Sequence, residues 1–283
     1  MTHRLLRSHL YVPADRERFV AKAHSTNADA VILDLEDSVA DSRKNAALDA
    51  VLVFLAEEVP EHTTAAERWV RVNVGDRGLA ELRSLLPLQP DGIWLPKSEP
   101  GGWTADAVAM ITAAGVRPGV MIESAVGLVG LAQLPTLPPN ALTQLGEVDL
   151  AADLRMRDRS EEAMVPFRAR IILETAIRGL PMPVAPVGDR YDDLDEYRAR
   201  SIVLRDRGFG SRACIHPDQV AVVNEVFGVD PNDLERALRV VAGFEEAASA
   251  GRGSYVEEDG RMADLATVRW ARELIARAEG MNP

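Results

Sequence analysis

The chain has 283 residues, 47% apolar and 27% charged, enough for one large α/β domain or two modest ones around a sizeable core. Its 32 basic residues stand against 44 acidic ones. The net charge of −12 argues against a partner that grips the nucleic-acid backbone, while leaving room for a local basic pocket. No stretch approaches the roughly 18 uninterrupted apolar residues of a membrane span, and no long apolar N-terminal run leads to a small-residue cleavage site. The single cysteine, Cys214, excludes an intrachain disulfide and any cysteine cluster, and reads as filling a strand position. A cytoplasmic protein is expected.

Strand-like segments then alternate with helical ones along the chain. His9 to Pro13 is the first strand, with a helical stretch around Arg16 to Ala23 behind it. Ala30 to Leu35 is the second, ahead of a long helix from about Arg43 to Glu58. Trp69 to Val74 and Gly92 to Pro96 follow, with helices near Leu79 to Leu86 and Asp106 to Ala114. Val120 to Glu123 is the fifth strand and Val126 to Leu134 its helix. Ala141 to Leu145 is the sixth, with Phe167 to Gly179 after it. Met182 to Val187 is a weaker seventh, then comes Leu194 to Asp206. Arg212 to Ile215 is the eighth, followed by Gln219 to Phe227.

Most spacings are roughly 30 residues, one βα unit. Eight such units close a (β/α)8 barrel, whose working residues sit on the loops after the strands. A doubly wound open sheet is the alternative, but it usually needs fewer units. Nor does the first turn, YVPADRERF, have the glycines of a nucleotide-binding turn. The expected fold is α/β: a (β/α)8 TIM barrel over residues 1–230 and a C-terminal helical extension over 231–283. In the extension, Pro231 to Ala250 and Leu265 to Ala278 look helical around a glycine- and charge-rich link from Gly251 to Arg261. Such a segment either pads the barrel or covers its mouth as a lid.

Glu123 and Asp149 each stand at the C-terminal end of a strand segment, on strands expected to be neighbours. Two converging carboxylates suit a hard divalent cation such as Mg²⁺, whose shell water and substrate oxygens complete. No histidine stands beside them, which counts against zinc. The alternative is a pair of rim carboxylates that cap helices or pair with arginines. Arg71 lies inside an apolar strand, where an unpaired guanidinium is costly; it either binds a substrate carboxylate or enolate oxygen, or forms a structural ion pair. Lys97, after Pro96, is read as a charged lysine that holds an anion rather than a Schiff-base nucleophile. In the DLED run, Asp34 and Glu36 share a face by the period of two. Glu36 and Asp37 either orient metal-bound waters and arginines, or Asp37 and Ser38 cap a helix. His216 at the rim binds substrate or ends its strand. Arg155, Arg157 and Arg159 grip phosphates or form a solvated loop.

The ordered segments RSHLYVPA, ILDLEDSV, VRVN, LPKSE, MIES, LGEVDL and IHPDQV, with DGRMADL in the tail, resemble the citrate lyase beta-subunit-like family of the HpcH/HpaI aldolase superfamily. That resemblance implies a barrel with a C-terminal extension, assembled as a homo-oligomer, a trimer or hexamer. It implies a Mg²⁺-dependent enzyme (Mn²⁺ as an alternative) that makes or breaks a carbon–carbon bond in a malyl, citramalyl or citryl thioester. The products are an acyl-CoA and a keto acid, with coenzyme A part of the substrate. Residue by residue, it assigns the metal to Glu123 and Asp149 and substrate binding to Arg71. Glu36 and Asp37 become the acidic pair beside the metal waters, and Lys97 the strand-four lysine. Arg7 would stand near the thioester. Asp264 would be an acid that enters a neighbouring subunit's site, donating a proton or activating water. Rival readings keep the barrel but change the job: a citrate lyase-like subunit acting on an acyl-carrier-protein thioester, an aldolase for free hydroxy-keto acids, or a non-catalytic binding subunit. The resemblance departs at Ser211 and Arg212, where relatives carry an aspartate and a lysine nearby, and in the strand-seven segment PVAPVGDRYDDLDEY.

Overall fold

The computed structural model describes residues 5–57, 66–188 and 190–280. Its centre is a closed barrel of eight parallel strands, each paired with its sequence neighbour and the eighth with the first. They are β1 (Ser8–Pro13), β2 (Ala30–Asp34), β3 (Glu67–Arg71), β4 (Gly92–Leu95), β5 (Arg117–Ile122), β6 (Leu142–Leu145), β7 (Val184–Ala185) and β8 (Ser211–Cys214). The chain is therefore a (β/α)8 barrel followed by a C-terminal helical region. Strands such as AVILD and RPGVMI are apolar almost throughout because both of their faces are buried, one in the barrel and one under helices.

The helices are α1 (Glu17–Ala23), α2 (Lys44–Ala56), α3 (Gly75–Leu85), α4 (Gly102–Ala113), α5 (Ala125–Val129), α6 (Glu147–Asp153), α7 (Glu161–Ile177), α8 (Leu194–Asp206), α9 (Pro217–Val226), α10 (Pro231–Ser249) and α11 (Leu265–Ala278). Several begin on side-chain caps that the sequence supplies: Ser124 for α5, Ser160 for α7, Asp193 for α8 and Asp230 before Pro231 for α10.

The elements differ from the sequence expectation in instructive ways. β3 begins two residues earlier than Trp69, where Glu67 N donates to Asp29 O at 2.8 Å. The α-helix expected over Val126 to Leu134 stops at Val129, and after Gly130, which packs on Pro100, the segment continues as a 3-10 turn, Leu131–Gln133. β7 is only two residues long, since Pro183 and Pro186 flank it and have no N–H for the ladder. α7 starts six residues before Phe167, on the Ser160 cap. An unforeseen short helix, α6, follows β6 and carries Asp149. Glu58, the expected end of the second helix, lies outside the described residues.

Two compact units are present. One is the barrel, Arg7–Phe227. The other contains residues 228–280 with Leu5 and Leu6, and Leu5 N donates to Gly280 O at 2.9 Å. In this second unit Ala237 and Val240 of α10 pack on Val268 and Ala271 of α11. A two-stranded hairpin, β9 (Tyr255–Val256) and β10 (Met262–Ala263), bridges the helices and lays Tyr255 over Gly243.

Inside the barrel, alternate residues point inward. The lower interior is plugged by Trp69 and Trp94, whose rings lie 5.6 Å apart and are fully buried. Room for them comes from two glycines: a Cβ at Gly92 would lie 2.3 Å from the Trp69 ring, and one at Gly119 2.5 Å from the Trp94 ring. His9 meets Trp94 edge-on, and among the described residues neither of its ring nitrogens has a hydrogen-bond partner.

Burial accordingly pushes His9 from 6.5 down to about 3. In the folded chain the imidazole stays neutral across that window, while in the unfolded chain it takes up a proton. Its contribution to stability is therefore complete above pH 6.5 and is lost as pH falls toward 3, at roughly 1.4 kcal/mol per pH unit. Urea unfolding of His9→Leu across this window should give a flatter stability–pH profile than the parent. Equal slopes would show that His9 is not the titrating group.

Candidate active site

The C-terminal rim of the strands surrounds a cavity of ≈290 Å³ lined, among others, by Tyr11, Arg71, Glu123, Gln144, Asp149 and Arg200. The barrel topology dictates this location: every loop that follows a strand opens at this end.

Glu123 follows β5 and is 4% exposed. Its Oε2 accepts the Lys97 backbone N–H at 2.7 Å, from a residue held at φ 47°. Its other oxygen faces Gly146, where a Cβ would lie 2.4 Å from Oε1, so this cradle admits only glycine. Burial pushes the Glu123 carboxyl up to about 7. The Lys97 N–H and the Arg71 charge oppose that shift, whereas Glu36 and Asp149 add to it. Asp149 lines the same cavity from the first turn of α6. It therefore comes from a helix rather than from the end of the sixth strand, as the sequence pattern suggested.

This pair fits a hard divalent cation. A buried carboxylate short of positive charge gains most from one, and the cavity lining offers oxygen donors but neither histidine nor cysteine. Among the described residues no third acid, histidine or cysteine joins them in a ligand cluster. Two protein carboxylates with the rest of the shell left to water and substrate is the pattern Mg²⁺ adopts.

Arg71 lies on β3 facing inward. Its Nε and Nη2 each donate to Asp34 at 2.7 Å, and its Nη1 lies 3.2 Å from Glu36 Oε2. Of the two sequence alternatives the ion pair is present, and Arg71, clamped from below, also lines the cavity. Asp34 is held below the ordinary carboxylate range by Arg71 against the opposing effect of burial, which raises Glu36. Lys97 Nζ pairs with Glu36 and lies 3.2 Å from Asp37 Oδ1. Those acids raise the lysine above its ordinary value despite desolvation, so it is a cation and not a Schiff-base nucleophile. Glu36, Asp37 and Lys97 thus form one ion network that buttresses Arg71 and Glu123 from behind.

Other predicted residues lie elsewhere. Arg7 stands at the start of the first strand, at the end away from this cavity. Its guanidinium forks onto Asp29 at 2.8 and 3.0 Å, joining the starts of β1 and β2. His216 caps α9 through its Nδ1 and stacks on Tyr191 at 5.6 Å, while its neighbour Ile215 reaches the cavity. Asp264, in the second unit, caps α11 by accepting from Ala266 N and Thr267 N at 3.0 Å. Hydrogen bonds from Thr267 hold its carboxyl below the ordinary range. Of Arg155, Arg157 and Arg159, only Arg159 lines the cavity. Buried Cys214 has its thiol pushed up to about 12, which suits a strand filler rather than a nucleophile.

Sequence reasoning missed Tyr11, Gln144, Glu147 and Arg200, which all line the cavity. Gln144 carried the signal that revealed Arg71, a polar residue inside an apolar strand. Glu147 could not be read locally, because its partner is Arg168 of α7, at 2.5 and 2.8 Å.

Residues 7–217 match the family model described as HpcH/HpaI aldolase/citrate lyase. The chain belongs to the HpcH/HpaI aldolase/citrate lyase family. A second model, described as a C–C bond lyase of the TIM-barrel fold, matches residues 186–281. Among its relatives is a (3S)-malyl-CoA thioesterase of Cereibacter sphaeroides, 33% identical over 97% of this chain and 95% of that protein. Another is an L-malyl-CoA/beta-methylmalyl-CoA lyase of Rhodobacter capsulatus, 28% identical over 98% of this chain and 95% of that one. The fold is also similar to a crystal structure of protein CitE from Mycobacterium tuberculosis in complex with magnesium, acetoacetate and coenzyme A. The TM-score is 0.77 at 28% identity, covering 97% of this chain and 98% of that one. Within the family, buried Glu123 with half-buried Asp149 and the clamped arginine of this chain are the features that bear on chemistry.

Proposed function

We propose that this family member is a Mg²⁺-dependent carbon–carbon lyase, acting in reverse as a condensing enzyme, on a short 3-hydroxyacyl-CoA of the malyl, citramalyl or citryl type. The observation that carries the reading is the buried, charge-deficient Glu123 beside Asp149, on a cavity whose wall also presents Arg71. Relatives named for malyl-CoA chemistry, similar over nearly their whole length, support the substrate class.

Glu123 and Asp149 would hold the cation, which when bound supplies Lewis-acid polarisation of substrate oxygens. Arg71, fixed by Asp34 and Glu36, offers preorganised positive charge to a substrate oxygen and loses little in reorganisation. In cleavage the 3-hydroxyl gives up its proton and its oxygen becomes the keto-acid carbonyl. The electrons of the C2–C3 bond pass into the thioester enolate, which takes a proton at C2. Asp264 of one copy would serve the cavity of another in a homo-oligomer, the extension acting as a lid that excludes water. Hydrolysis of the thioester after condensation is a second reading, favoured by the thioesterase among the relatives, with the Asp264 carboxylate as the group that would activate water. An ionised carboxylate accepts a proton from water more readily than it donates one.

Mass-spectrometric turnover of malyl-, citramalyl- and citryl-CoA beside the matched free acids tests the class. The expected result is release of a keto acid from at least one thioester and none from free acids. Cleavage confined to free hydroxy-keto acids, or to a carrier-protein thioester, would replace this reading with the corresponding rival.

A further inference from the structure

The floor of the cavity is chemically distinct from its rim. Because inward-facing residues repeat every second position, Tyr11, Met121 and Gln144 form a layer below Pro13, Glu123 and Gly146, roughly 6–7 Å deeper into the barrel. All six line the cavity. Beneath this layer lies the tryptophan plug, so it is the surface on which the buried end of a ligand rests.

Gln144 is 2% exposed and sits opposite Met121 in the β5–β6 register. Its Oε1 accepts the Tyr11 hydroxyl at 3.0 Å. Tyr11 is itself held in place: the Arg71 guanidinium lies 5.1 Å from its ring centroid, and its Oη is 3.7 Å from Met121 Sδ. In this arrangement Oε1 is occupied and Nε2 is left with two N–H groups. No acceptor among the described residues meets Nε2, and Gln144 opens onto the cavity. A ligand that fills the floor must accept from that amide, leave space for a water, or strand a buried donor at a cost in affinity.

We propose that Gln144, oriented by Tyr11, determines specificity at the keto-acid end of the substrate. It favours thioesters whose C3 bears hydrogen or an oxygen-carrying arm and disfavours those that place a methyl group on the floor. The inference rests on the lyase reading above and names which members of that substrate class the site takes. The asymmetry follows from the chemistry of discrimination: a site built around a hydrogen-bond donor rejects an apolar occupant far more strongly than an apolar site rejects a small polar one.

The test measures kcat/KM for malyl-, citramalyl- and citryl-CoA, and calorimetric Kd values for glyoxylate, pyruvate and oxaloacetate in the Mg²⁺-loaded protein. Wild type, Gln144→Leu, Gln144→Met and Tyr11→Phe are compared, and circular dichroism checks folding. In wild type, citramalyl-CoA and pyruvate should be the poor partners by about 10- to 100-fold. Either apolar variant should cut that ratio at least tenfold, chiefly by improving the methyl-bearing compounds. Tyr11→Phe should cut it part-way. Having both Leu and Met variants keeps the test decisive if one fails to fold. Ratios that stay within twofold of wild type in a folded, active variant would overturn the role of Gln144 while leaving the lyase reading intact. A wild type that cleaves none of the three thioesters would overturn both.

Discussion

Glu123→Gln should reduce metal-dependent turnover by about three orders of magnitude while leaving the fold intact. Glutamine keeps the shape that fits against Gly146, so the cradle is not disturbed. What changes is charge: one of the two carboxylates that would hold the cation becomes a neutral amide. Burial already opposes ionisation of Glu123, whose carboxyl is pushed up to about 7. Removing the charge therefore costs the folded state nothing and should leave the unfolding midpoint at or above that of the parent. Calorimetric titration with Mg²⁺ beside steady-state kinetics separates the two consequences. Retained turnover at saturating Mg²⁺ would sink the ligand assignment, and a collapsed midpoint would show that Glu123 is structural.

Arg71→Met should be the most destabilising single change at the site. Asp34 and Glu36 are 2% and 3% exposed, and Arg71 is the cation they share. Breaking a buried pair from one side leaves unpaired charge in a desolvated place, which costs about 3–5 kcal/mol. The sign with pH follows from Asp34. Arg71 holds its folded value below 3.8, so this stabilisation is present above 3.8 and is lost as pH falls through the folded value. The deficit of the variant against wild type should therefore shrink in acid. Adding Asp34→Asn should restore part of the stability, by removing the stranded charge, without restoring turnover. Urea unfolding of the two single variants and the double variant gives the coupling directly. A deficit below about 1 kcal/mol would mean that the pair is effectively solvated.

The barrel was legible because its strands are buried on both faces and read as apolar runs at regular spacing. β2, with all five residues buried, needed nothing else. β7 was weak in the sequence and is short in the fold for one reason, the prolines on either side. The acid pair was legible as residues but not as geometry. Glu123 follows its strand as expected, whereas Asp149 reaches the cavity from α6, a seven-residue helix too short for periodicity to resolve. Arg71 showed that it needed a partner; the sequence did not show that Asp34, 37 positions away, would supply it through the β2–β3 register. Arg7 was legible as a residue but not as geometry, because a resemblance marks a residue without saying which end of the strand it occupies.

Malyl-CoA cleavage by metal-stripped protein, before and after Mg²⁺ is returned, tests the central claim most directly. Mass spectrometry would follow keto acid and acyl-CoA separately from malate and free coenzyme A. Keto acid and acyl-CoA should form together, only with metal, and not in Glu123→Gln. Keto acid released at the same rate in EDTA would contradict the claim.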